Sequence, residues 1–172
     1  LAGYLASRQS VKNKKGAYLV GAVTVLLSAL LSIATVRQIS IWKDPVTMWK
    51  HVIKVYPDSY LARYNLAGVY KAYGDFDMAI LYFTEALSLK PGFSEALNNR
   101  GAAYIMTGDN KRAAEDIEKA VKADPRNAEA HYNLGIALEN LGLQDDATAS
   151  YKNAAELGLI QAGDKRRAKG VR

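Results

Sequence analysis

One interval, 34 residues, recurs through the middle of the chain. Glycine returns at Gly74, Gly108 and Gly142, asparagine at Asn65, Asn99 and Asn133, and proline at Pro57, Pro91 and Pro125. Alanine returns twice in each interval, at Ala79, Ala113 and Ala147 and again at Ala86, Ala120 and Ala154. Series that share one register leave little room for coincidence, and a period of this length marks a stack of helix–turn–helix units. The predicted fold is therefore an all-α superhelical solenoid. It has three full repeats over 60–93, 94–127 and 128–158. Each unit buries its apolar face only against its neighbours.

Each repeat divides at its glycine. Asp58 or Ser59 is placed to cap a first helix (A) over 60–73, with the turn at Gly74-Asp75 and a second helix (B) over 76–89. The same reading gives 94–107 and 110–123, then 128–141 and 144–157. Helix B stops ahead of Pro91 and Pro125, because the residue before proline is pushed out of the helical region. The alanine columns let helix B lie close to its neighbours. Tyr70, Tyr104 and Leu138, with Phe83, Ile117 and Tyr151, fill the space between helices.

Upstream, Gly16 to Val36 is a run without charge, rich in valine, leucine and isoleucine. At about 1.5 Å per residue it matches a hydrocarbon core of roughly 30 Å, so a transmembrane helix is expected over 16–36. Arg8, Lys12, Lys14 and Lys15 precede it, making 1–15 a basic flank. Basic residues favour the cytoplasmic side, which predicts extracytoplasmic repeats in a bacterial inner membrane. Residues 38–57 read as a degenerate half-repeat. Asp44 would cap its helix with Pro45 at the first position, and Met48, Trp49, Val52, Ile53 and Tyr56 would share one face. Trp42 is expected at the membrane interface. Residues 159–172 are expected to form a capping helix and basic tail. The chain opens on Leu1 and not methionine, as expected of a processed product or a C-terminal piece.

Charge and composition exclude several function classes. The net charge of +6 arises at the two ends, while residues 58–158 carry ten basic and fifteen acidic side chains. A nucleic-acid partner needs a basic body, so none is expected. Cysteine is absent, and the two histidines, His51 and His131, have no acid at metal-ligand spacing, so no metal or cofactor is expected. His131 reads as a packing residue. Glu115-Asp116 and Asp145-Asp146 read as solvated acids near helix N-termini. No catalytic group is assigned, and the chain is expected not to be an enzyme.

The run Asn65-Leu66-Ala67-Gly68-Val69-Tyr70, with Gly74-Asp75, Ala79, Phe83, Ala86 and Pro91, resembles the tetratricopeptide repeat. The chain departs from that pattern at Ala67, where glycine is usual, at Arg100, where leucine is common, and at Leu159, where the next proline would fall. The resemblance implies protein or peptide binding on the concave face lined by helix A. The implied contacts are Tyr64, Asn65, Lys71, Asn98, Asn99, Met106, Tyr132, Asn133, Ile136 and Asn140. A carboxamide both donates and accepts, so Asn65, Asn99 and Asn133 are expected to hold a peptide backbone, much as in peptide-glycosylating members of the family. Repeats that clamp chaperone tails need lysine at the Tyr64 and Glu129 positions, so that partner is not expected. The joint from Thr35-Val36-Arg37 through Trp42, Met48 and Trp49 to Pro57 also resembles transmembrane-and-tetratricopeptide-repeat proteins related to O-mannosyltransferases. That likeness implies an alternative role as the substrate-recruiting part of a polyprenyl-phosphate-sugar-dependent glycosyltransferase. The catalytic acid of those proteins lies in an early loop that this sequence lacks.

Overall fold

A computed structural model describes residues 2–159 and is helical throughout the described elements. It divides into two units at Asp44/Pro45. The first is one helix, α1 (Ala2–Lys43). Within it Tyr18–Val36 is long and apolar enough to cross a membrane, with a mean hydropathy of 2.3 and none of the stretch buried. The hydroxyls of Thr24, Ser28, Ser32 and Thr35 each donate to the carbonyl four residues earlier, at 2.8–2.9 Å. These four hydroxyls are thus satisfied within the helix itself, which suits an apolar surrounding. The expected half-repeat was bounded at 38. Instead α1 continues unbroken to Lys43, and the next helix begins only at Pro45, which fixes its own φ for a first helical position.

The second unit holds α2 (Pro45–Val55), α3 (Tyr60–Ala72), α4 (Phe76–Leu89), α5 (Ser94–Thr107), α6 (Asn110–Ala123), α7 (Ala128–Asn140) and α8 (Gln144–Glu156). Boundaries follow the periodicity to within one residue. Ser59 caps α3 through its hydroxyl, and Asp75 and Asp109 cap α4 and α6 through their carboxylates. The recurring glycines take φ of 78°, 84° and 81°, left-handed conformations that let each A helix end and turn back into B. In α2, Met48, Trp49, Val52 and Ile53 are half-buried, as their spacing predicts. Tyr56 is 64% exposed, because α2 stops at Val55 and the chain turns away before Tyr56 can join that face.

The six recurring alanines on α4, α6 and α8 are fully buried, as are Phe83 and Ile117, and Tyr151 nearly so. Gly101 and Gly135 let α5 and α7 lie close against α6 and α8, respectively. A methyl group at Gly101 would stand 2.4 Å from Ile117 Cγ1, and one at Gly135 would stand 2.5 Å from the Tyr151 ring. The first repeat has Ala67 at this position, and it too is fully buried.

Two expectations about polar residues divide. His131 is buried, and its Nε2–H donates to the Pro125 carbonyl at 3.0 Å, which makes it the packing residue expected. Asp116 is not a solvated acid. It is 4% exposed and accepts two bonds from Arg100, at 2.7 and 2.9 Å. Arg100 also reaches Thr84 Oγ1 at 2.9 Å. The departure at Arg100 thus has a partner, and the pair ties α5 to both α6 and α4. Glu115, Asp145 and Asp146 are exposed as expected.

Candidate functional site

The A helices α3, α5 and α7 run side by side, α5 touching both of the others, and their shared face collects most of the expected contact residues. Lys71 and Tyr64 reach across from α3 to the same residue of α5. Lys71 Nζ donates to Asn99 Oδ1, and Asn99 Nδ2 donates to the Tyr64 hydroxyl at 3.0 Å. One repeat later Asn133 Nδ2 donates to Asn98 Oδ1 at 3.0 Å. Asn140 Nδ2 donates to Asn110 Oδ1, also at 3.0 Å, joining the end of α7 to the start of α6. Asn65 is half-buried, and among the described residues its carboxamide makes no side-chain hydrogen bond.

The asparagine column therefore differs from an open ladder. A carboxamide has two N–H donors and two lone pairs. Asn99 commits one of each, and Asn133 commits one donor, so both retain capacity for a peptide backbone in an orientation already set. Asn98 is 3% exposed and cannot touch a ligand; its place is beneath Asn133, holding that amide. The two tyrosines are likewise only partly available. The Tyr64 ring packs 4.9 Å from Phe93 and 5.7 Å from Phe83, and the Tyr132 ring lies 5.6 Å from Tyr151. Burial, then the Glu95 carboxylate, pushes the Tyr64 phenol above its ordinary value.

A groove of about 320 Å³ opens on this face, lined by Lys71, Phe76, Ala102, Ile105, Met106, Asn133 and Ile136. It brings Lys71, Met106, Asn133 and Ile136 together, with Met106 63% exposed at its edge. Phe76 was outside the expected set. It opens α4, a B helix, and its column continues as Asn110 and Gln144, so no repeat signal marks it. Among the described residues no group of histidine, cysteine, aspartate or glutamate is arranged to hold a metal ion.

Family models described as tetratricopeptide repeat match residues 60–93 and 98–166. Tetratricopeptide repeat protein 28 of Mus musculus is 37% identical over 88 residues, which is 51% of this chain and 3% of that protein. The heat-shock protein cognate co-chaperone sgt12 of Aspergillus fumigatus is 35% identical over 82 residues, 48% of this chain and 24% of that one. Tetratricopeptide repeat protein 36 of Xenopus tropicalis is 38% identical over 88 residues, 49% of this chain and 44% of that one. The chain thus spans less than half the length of each of these curated relatives.

Among solved structures, the crystal structure of MamA superposes with a TM-score of 0.69 at 23% identity, covering 79% of this chain and 83% of that one. The first tetratricopeptide domain of Spaghetti (RPAP3), bound to the HSP90 peptide SRMEEVD, gives 0.61 at 23% identity, covering 63% and 88%. At these identities the likeness concerns the fold.

Proposed function

We propose that this chain, a tetratricopeptide-repeat protein-interaction module, is held at a membrane by α1 and binds an extended protein segment on the face of α3, α5 and α7. The groove among Lys71, Met106, Asn133 and Ile136 carries the reading, because it lies beside carboxamides that are already oriented and still have free donors and acceptors. Asn65, Asn99 and Asn133 hold the segment's backbone, Tyr64 and Tyr132 flank it, and Asn140 meets it at the far end. Asn98 acts from beneath. Screening the full chain, in non-ionic detergent, against an array of extended peptides tests this. Replacing Asn65, Asn99 and Asn133 together by alanine is expected to lower binding by one to two orders of magnitude, at about 1 kcal/mol per hydrogen bond. Unchanged binding rejects the reading.

The membrane part rests on Tyr18–Val36, whose apolar side chains are left uncovered by the described residues. Carbonate washing of membranes is expected to leave the chain in the pellet, and protease added from the extracytoplasmic side should remove the repeats. Release into the supernatant counts against the anchor, and protected repeats against that orientation. The transferase-associated alternative rests on the sequence resemblance of the Thr35–Pro57 joint alone. A reading frame upstream with many spans and an acidic first loop would favour it.

A further inference from the structure

The helix-A face carries unbalanced charge beside its groove. Glu95 and Glu129 occupy the same position one repeat apart, in the first turns of α5 and α7, and both are exposed. Among the described residues neither takes part in an ion pair; Glu95 accepts only from the neighbouring Ser94 hydroxyl, at 3.0 Å. Both act on one point, since the Tyr64 phenol is raised first by burial, then by Glu95, with Glu129 contributing as well. Two lysines have neutral partners on this side. Lys90 lies 4.6 Å over the Tyr60 ring and 4.8 Å over Phe93, and Lys71 is bonded to Asn99.

From this arrangement we infer that the segment bound on this face is basic and apolar: a lysine or arginine side chain meets Glu95 and Glu129 while an aliphatic side chain enters the groove beside Ile105, Met106 and Ile136. This deepens the peptide-binding reading above and rests on it. Ile105 lies ten residues beyond Glu95, and Ile136 seven beyond Glu129. At about 1.5 Å per helical residue the acids and the groove are roughly 10–15 Å apart, which an extended chain at about 3.3 Å per residue crosses in about three to five residues. An acidic segment would instead bring like charges together at Glu95 and Glu129.

Fluorescence anisotropy with the full chain in non-ionic detergent tests this, using three labelled peptides that share one leucine. They carry lysines, serines or glutamates about four residues from it. The lysine peptide is expected to bind about tenfold tighter than the glutamate peptide, as two exposed ion pairs allow. That preference should vanish in E95Q/E129Q, whose exposed positions leave the helices intact by circular dichroism, and at about 1 M salt, where screening acts within about 3 Å. Met106→Ser, also at an exposed position, should weaken all three peptides severalfold. Equal binding of the three peptides, or a preference that survives in E95Q/E129Q, overturns the charge assignment while peptide binding stands. An unaltered affinity in Met106→Ser overturns the groove assignment. If none of the peptides binds, both this inference and the reading beneath it fall.

Discussion

The second and third repeats obey one beat and solve the same packing problem differently. In α5–α6 the space opened by Gly101 is filled by Ile117, and beside it Arg100 and Asp116 form a buried ion pair that also reaches Thr84 on α4. In α7–α8 the corresponding glycine faces Tyr151, whose hydroxyl donates to Glu139 at 2.7 Å. The positions of the ion pair hold Leu134 and Ser150 there, and Ser150 merely bonds back to Asp146. In the second repeat a side chain with several donors ties that repeat's two helices to α4 of the repeat before. Small columns are therefore strictly repeated, while large and polar columns vary with what each repeat touches.

The largest effect should come from separating the ion pair. Asp116→Ala leaves the Arg100 side chain, 17% exposed, without its partner, and is expected to cost about 3 kcal/mol in denaturant unfolding of the full chain. Ser150→Ala, at the same position of the next repeat, should cost under about 1 kcal/mol. Giving repeat two the residues of repeat three, as R100L/D116S, should restore stability to within about 1 kcal/mol of the parent. If Asp116→Ala costs no more than Ser150→Ala, the pair behaves as a surface pair and the contrast between the repeats is lost.

Next come the glycines. Gly135→Ala drives a methyl into the Tyr151 ring, and Gly101→Ala drives one into Ile117 with the Ala113 carbonyl oxygen only 3.1 Å away. Overpacking of about 1–3 kcal/mol, offset by up to about 1 kcal/mol of helix propensity, leaves a net loss of about 1–2 kcal/mol. The loss at Gly101 should be the greater, since a backbone oxygen cannot swing aside. Trimming the partner sharpens the point: with Tyr151→Leu already present, Gly135→Ala should become neutral or stabilising in thermal unfolding.

The carboxamides should separate the repeats at the level of binding. Asn98→Ala removes the group that holds Asn133 and is expected to weaken peptide binding about fivefold, roughly one hydrogen bond. Lys71→Met should do less, because Asn99 keeps its bond to Tyr64. Equal losses in the two variants would mean that the two amides are held alike.

The smallest effect is alkaline. Burial, with Tyr132 adding, pushes the Tyr151 phenol up to about 12 from its ordinary value near 10. The folded state thus favours the protonated phenol. Its contribution is fully present below about pH 10 and is lost as pH rises toward about 12. Tyr151→Phe should flatten that limb of a stability-versus-pH curve, whereas Ile117→Val, its counterpart in repeat two, should leave the limb unchanged.

Much of the fold was legible in order, because alanine columns and turn glycines are local requirements that recur at fixed spacing. Phe76 was missed since its column does not repeat. Asp116 was misplaced because its partner sits sixteen residues away on another helix, and nothing in its neighbours marks the pairing. The asparagine column was legible as positions on a face. That Asn98 lies beneath it, and that Asn99 and Asn133 are already held, depends on side chains of adjacent repeats.

By itself the sequence determined the all-α repeat, its turns and the apolar stretch of α1, since helix periodicity and left-handed glycines follow from covalent geometry. Only the tertiary structure decided which polar groups are spent internally and which remain for a partner. Burial and hydrogen-bond pairing belong to helices brought together from different repeats, and a linear spacing carries no record of them.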